Sequence, residues 1–242
     1  MKDHSYHRSL KRKNVVVIGA ESLIGQATAI LAAAEGALVT AVCRKLSPVL
    51  KNKFVLPFGR NMKESELGCD DCYKELFINR ASLDHMVIVL PEHMIPIGSD
   101  VLPEVAERHF ITTCFISISA AIKYALPLMG PGCSITICSV NQSPDPCIKD
   151  ILPDYTKAMA VPLAPVRLNC VTVGLPRQES YYRTITERPT RITAVNDVRF
   201  FGSFREPGDV ALALIYLIKH PFATGESLVI DEGRLTKRLH DK

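Results

Sequence analysis

The stretch NVVVIGAESLIGQATAILAAAEGALVTAVCRK, from Asn14 to Lys45, constrains the fold more than any other part of this chain. Asn14–Gly19 carries four β-branched residues in a row, too short for a helix and apolar on both faces, as a strand inside a parallel sheet is. Ile24–Glu35 is rich in alanine, the strongest helix former, and Gly36 stands where a helix would stop. Ala37–Cys43 is a second β-branched strand. A strand, a crossover helix and another strand make a parallel pair, and the same alternation continues downstream.

Phe54–Phe58 reads as a third strand and Glu64–Ala81 holds a helix. Met86–Leu90 is a buried strand stopped by Pro91, Pro103–Met129 is mostly helical, and Ser134–Ser139 and Leu168–Val173 are strands. Gly208–Lys219 is a helix with Asp209 near its start, and Ser227–Asp231 is a last strand. The pattern predicts an α/β, doubly wound parallel sheet with helices on both faces, built as a single domain. The 242 residues, 47% hydrophobic and 22% charged, supply a core for one such unit and exclude a disordered or collagen-like chain. Residues 1–13 carry five basic residues (Lys2, Arg8, Lys11, Arg12 and Lys13) and read as a basic flexible tail before a domain over 14–242. The net charge of +4 is mild and no aromatic-basic interleaving accompanies it, so no nucleic-acid partner is expected. No apolar segment is long enough to span a bilayer and no apolar leader follows the start, so a cytoplasmic chain with no membrane partner is expected. The eight cysteines are scattered. Cys69 and Cys72 form a lone CxxC without a second pair or a histidine at ligand spacing, so no metal is expected. Residues 176–204 are polar, arginine-rich and weakly periodic, as a substrate loop or lid is.

The turn between the first strand and helix has a chemical use beyond its shape. Gly19 permits a tight turn and Gly25 a close approach of helix to strand. The helix start, with Ser22 and Ile24, then offers unpaired N–H groups and the positive end of a dipole to phosphate. Leu23 adds bulk where the backbone would approach a pyrophosphate, and Glu21 adds a negative charge beside it; both weaken that reading. Packing alone is the other explanation of the two glycines. After the second strand come Arg44 and Lys45 in place of the acidic residue that holds ribose hydroxyls in NAD sites. Arginine there suits a 2′-phosphate through bidentate hydrogen bonds, so NADP(H) is the expected dinucleotide; a solvated pair at a strand end is the plain alternative.

Several segments, in order, resemble the short-chain dehydrogenase/reductase family. They are the Gly19–Gly25 turn, LDHMVIVLPEH (Leu83–His93), YALPLMGPGCSITICSV (Tyr124–Val140), APVRLNCVTVGLPR (Ala164–Arg177) and REPGDVALALIYLIKHPFATGESLVIDEG (Arg205–Gly233). The resemblance implies a Rossmann-type sheet with a nicotinamide cofactor across the carboxyl ends of its strands. It places Leu90 and Gly174 at that cofactor, and Ser139 on the family's catalytic serine. The family pairs a tyrosine with a lysine four residues later. Here Lys157 follows Tyr155 by two, and about 100° per residue sends the two to nearly opposite helix faces. If Lys157 keeps the family position, Pro153 replaces the tyrosine; if Tyr155 keeps it, Met159 replaces the lysine. The family's Asn-Asn-Ala-Gly stretch reads Ile-Val-Leu-Pro, and its helical asparagine is missing from FITTCFISIS. Only twelve positions separate Lys157 from Asn169, with Pro162 and Pro165 between, so the helix is expected to end before Pro162. That shortening weighs against the dimer the family forms through this helix.

SPDPCIKDILPDYTKA (Ser143–Ala158) is also similar to a fungal branch of indole-alkaloid reductases that have lost the usual tetrad, keep NADP(H) and combine imine reduction with a Diels–Alder step. That likeness implies a role for Asp145 in stabilising a cationic substrate; a solvated Pro-Asp-Pro turn is the plain alternative. The branch's arginine in the preceding helix is replaced by Phe115. The sequence therefore leads to three readings. The first is an NADP(H)-dependent reductase of a small to medium apolar carbonyl or imine, with Ser139 on the substrate oxygen, Tyr155 as proton donor and Lys157 at the ribose. The second is a redox-neutral cyclase or isomerase using Asp145, and the third a non-catalytic relative that binds a partner.

Overall fold

The β-branched run Asn14–Ile18 forms β1, and Leu23–Ala34 forms α1. In this computed structural model the alternation continues as β2 (Leu38–Val42), β3 (Val55–Phe58), α2 (Asp70–Ile78), β4 (His85–Val89) and α3 (Pro103–Ala125). It then runs through a 3₁₀ turn at Leu126–Leu128, β5 (Ser134–Asn141), α4 (Pro146–Ala160), β6 (Arg167–Gly174), α5 (Pro207–Lys219) and β7 (Ser227–Ile230). The structure describes residues 9–43, 55–58, 70–90, 103–141, 146–174 and 207–231.

The seven strands form one parallel sheet in the order β3-β2-β1-β4-β5-β6-β7. Chain order reverses direction between β1 and β4, and a crevice opens at the carboxyl ends of strands at such a point. Successive side chains of a strand point to opposite faces. Val15 and Val17 of β1 join one core with α1 and α5, while Val16 and Ile18 join the other with α2, α3 and α4. α3 buries Cys114, Ile118, Ala121, Ile122 and Ala125, a stripe at helical spacing. α5 begins on Pro207, whose missing N–H costs nothing at a first helical position. Pro57 lies within β3, which is tolerated because β3 is an edge strand.

The predicted doubly wound sheet is therefore present. Some boundaries move. The helix read over Glu64–Ala81 is Asp70–Ile78, with 64–69 outside the described residues, and β5 and β6 run one to two residues beyond the predicted strands. The folded unit also starts before Asn14, at the end of the segment read as tail. Leu10 is fully buried, the Arg12 amide donates to the Gly36 carbonyl at 2.8 Å, and Lys13 is paired with Asp84 at 2.7 Å. The loop read over 176–204 lies outside the described residues. Among the described residues, no helix is long and apolar enough to cross a membrane, and no cluster of three or more histidine, cysteine or acidic residues could hold a metal ion.

Candidate active site

The turn from β1 to α1 is built by its own side chains. Ser22, in extended conformation at the helix cap, accepts from the Gly25 amide at 3.0 Å and donates to the Gly19 carbonyl at 2.9 Å. Gly19 has φ +80, and a Cβ there would stand 2.1 Å from the Val89 carbonyl oxygen at the end of β4. A Cβ on Gly25 would stand 2.3 Å from the Gly19 carbonyl oxygen. Packing alone thus accounts for both glycines. What points to an anion is the position above them: the turn sits at the reversal of strand order, and the amides of Leu23 and Ile24 have no intrahelical partner in a helix's first turn. Ile24 is buried beneath the turn and Leu23 is half-exposed at its rim. The Gln26 side chain braces the turn by donating to the Glu21 carbonyl at 3.1 Å. The close-packed glycines and the two first-turn amides are the backbone features a pyrophosphate would use, with the Leu23 side chain half-exposed beside them.

The carboxyl edge continues from there. Leu90, just after β4, is buried, and its amide donates to the Cys138 carbonyl at 2.9 Å. Gly174 ends β6 against Asp231, where a Cβ would come within 2.9 Å of the Asp231 Cβ. Ser139, near the carboxyl end of β5, is half-exposed and stands opposite Thr172 of β6. Alternation places both hydroxyls on the α4 side of the sheet, because Ile137 and Cys170, two positions before each, belong to that core. Thr172 escaped the sequence reading: strand register cannot be seen in a single sequence.

Tyr155 and Lys157 go elsewhere. α4 leaves the carboxyl end of β5 and descends to the amino end of β6, so Tyr155, its tenth residue, lies about 13 Å down the axis from the helix start. The Tyr155 ring packs edge-on against Phe115 of α3 with centroids 5.1 Å apart. Burial pushes the pKa of its phenol above the ordinary value, and a hydrogen bond with Ser119 offsets part of the rise. Lys157 points the other way. Its Cα lies 3.9 Å from the position of a Cβ on Gly225, whose amide donates to Leu168 at the start of β6, and its charge acts on the buried Cys170 thiol. The structure thus brings Ser119 and not Ser139 to Tyr155, and separates Tyr155 from Lys157 as their two-residue spacing required. α4 takes in Pro153 and ends before Pro162, as expected. Arg44, Lys45 and Asp145 lie outside the described residues.

No protein-family model matches the chain. In sequence it is 25% identical to carbonyl reductase family member 4 of Xenopus laevis over 241 residues, covering 91% of this chain and 97% of that one. In fold it is similar to the MalC reductase/Diels-Alderase of Malbranchea aurantiaca, with a TM-score of 0.72 and 22% identity over 94% of this chain and 98% of that one. It is also similar to BdcA, solved in complex with NADPH, with a TM-score of 0.72 and 15% identity over 92% and 95% of the two chains. It is the short-chain dehydrogenase/reductases that this chain resembles, in the order of its sequence segments and in its fold.

Proposed function

We propose that this chain is an NADP(H)-dependent oxidoreductase that reduces the carbonyl or imine of a small to medium apolar metabolite, in specialised metabolism. The observation that carries the reading is the glycine turn at the reversal of strand order, with the Leu23 and Ile24 amides at the head of α1. The NADPH bound to BdcA and the reductase activity in MalC's name agree with it. The dinucleotide supplies a hydride when bound. The protein's own part is to hold and orient. Gly19, Ser22, Ile24 and Gly25 shape the pyrophosphate seat; Leu90 and Gly174 border the path of the dinucleotide along the carboxyl edge. Arg44 and Lys45 would take the 2′-phosphate. Ser139 would donate a hydrogen bond to the substrate oxygen, with Thr172 opposite it in the strand register. Asp145 would face a cationic iminium.

The positions of Tyr155 and Lys157 favour a second reading. With Tyr155 turned to Ser119 and Lys157 near the amino end of β6, proton transfer at Ser139 has no tyrosine–lysine pair behind it. A redox-neutral cyclase or isomerase using the same seat, or a non-catalytic relative, needs none. Fluorescence titration with NADPH and NADH, followed by NADPH oxidation across a panel of carbonyls and imines, separates these. Binding with turnover supports the reductase, and binding without turnover supports the second reading. No binding of either nucleotide overturns the seat itself.

A further inference from the structure

We infer that the outward face of α3 carries a second ligand site that takes a small carboxylate with an apolar body. The body would lie against Phe115 and Ile116, and the carboxylate would meet Ser119 and Lys123. Phe115, Ile116, Ser119, Ala120 and Lys123 line a cleft of about 380 Å³. Their spacing, i, i+1, i+4, i+5 and i+8, keeps them on one side of the helix over about 12 Å. α3 leads from beyond β4 to the 3₁₀ turn before β5, and Lys123 stands in its last turn. The cleft therefore lies toward the amino edge of the sheet, away from the glycine turn, and does not depend on the dinucleotide reading. Its volume falls at the small end of ligand pockets, which are mostly apolar with a few converging polar groups.

The cleft is apolar at one end and polar at the other. The Phe115 ring is half-buried and braced edge-on by Tyr155, with centroids 5.1 Å apart. Ile116 is 49% exposed, apolar surface that a ligand would take out of water. Ala120, buried and small, lies between them and the polar end. Ser119 and Lys123 are exposed. The Tyr155 phenol can donate to the Ser119 oxygen, which leaves the Ser119 proton for a ligand. The Lys123 ammonium lies 4.8 Å from the centroid of the Tyr124 ring. Lys123 is the one charged residue from Cys114 to Ala125, so the side chains of this stretch attract an anion, and the ammonium offsets the negative end of the helix dipole. A second copy of the chain is a poorer occupant, because a stable dimer covers about 800 Å² on each partner around an apolar centre. Among the described residues, the exposed positions of α3 are Ile116, Ser119 and Lys123, and those of α4 are Asp154, Lys157 and Ala158, so charged and polar side chains interrupt any such centre.

The test titrates the full chain calorimetrically with 4-phenylbutyrate and with its neutral amide, near neutral pH and at low salt, for wild type, Lys123→Met and Ile116→Asp. Wild type should bind the acid at one saturable site and the amide about fivefold more weakly. Lys123→Met should weaken the acid by about fivefold and leave the amide nearly unchanged, and added salt should shrink that difference. Ile116→Asp, which sets a carboxylate against the ligand, should weaken the acid by about tenfold or more. Both substitutions are at exposed positions, and a thermal melt confirms that each variant keeps the fold. Saturating NADPH should leave the acid's affinity unchanged. Wild type that binds no acid, that binds acid and amide equally, or that loses the acid to NADPH overturns the inference. So does a Lys123→Met variant that binds the acid as wild type does. A wild-type dimer in sedimentation that Ile116→Asp splits assigns the cleft to a second copy and overturns it too.

Discussion

At the scale of single residues, Gly19 is the position where the backbone leaves least choice. Its φ of +80 disfavours any side chain, and a Cβ would sit 2.1 Å from the Val89 oxygen, which is backbone and cannot swing away. Gly19→Ala should cost about 2–4 kcal/mol, strain and overpacking together, and should weaken both dinucleotides alike. Urea unfolding and the two titrations check this. Asp84 is a different case. Burial alone would raise its carboxyl, but hydrogen bonds from the Lys13 ammonium at 2.7 Å and the Asn14 amide at 2.8 Å, with the charges of Lys13 and His85, bring it below the usual range. A carboxyl whose folded value is depressed binds fewer protons in the native state. Its stabilisation is full above the ordinary carboxylate value and fades as pH falls through the folded one. The stability gap between wild type and Asp84→Asn should therefore be widest near neutral pH and narrow in acid, as read by urea midpoints at a series of pH values.

At the scale of elements, β6 does more than fill the sheet. Arg167 at its start is buried and donates to the Leu217 carbonyl at 3.0 Å, the Ile218 carbonyl at 2.8 Å and the Ala223 carbonyl at 3.1 Å. The first two belong to the last turn of α5, where carbonyls lack intrahelical partners and the helix dipole favours a cation. Asn169 completes the clamp, donating to Ala223 at 2.9 Å and accepting from the Glu226 amide at 3.1 Å. Arg167→Met keeps bulk but takes the guanidinium from the Leu217 and Ile218 carbonyls, leaving Ala223 to Asn169 alone, and should cost about 3 kcal/mol in a urea melt with an unchanged slope. The elements themselves were legible in the sequence wherever a β-branched run or an alanine-rich stretch ended at glycine or proline. α4 shows the limit. Its end before Pro162 could be read, and so could the opposed faces of Tyr155 and Lys157. That the helix starts at Pro146, and so carries both residues well below the carboxyl edge, could not. This depends on the strand register and on how deep the helix seats, which no local pattern encodes.

At the scale of the whole molecule, the strand order decides which end can serve as a site. The ordered glycine turn, Ser139, Leu90 and Gly174 all fall at the carboxyl edge, although they come from four different strands and were identified separately along the sequence. That convergence is a property of parallel topology, in which every strand ends on the same side. It also means that a dinucleotide lying along the edge would touch β1, β4, β5 and β6 at once, and its binding would add to the stability of the sheet as a unit. At a free concentration one hundred times the dissociation constant, a ligand adds about 2.7 kcal/mol, which for a chain of this size is roughly 5–10 °C in the melting midpoint. NADPH should produce a shift of that order by differential scanning calorimetry. Arg44→Ala should lose most of the NADPH shift at the same concentration while the NADH shift stays near that of wild type, since only the 2′-phosphate distinguishes the two ligands. A melting midpoint unmoved by either nucleotide in wild type would mean that the strands share an edge without sharing a ligand.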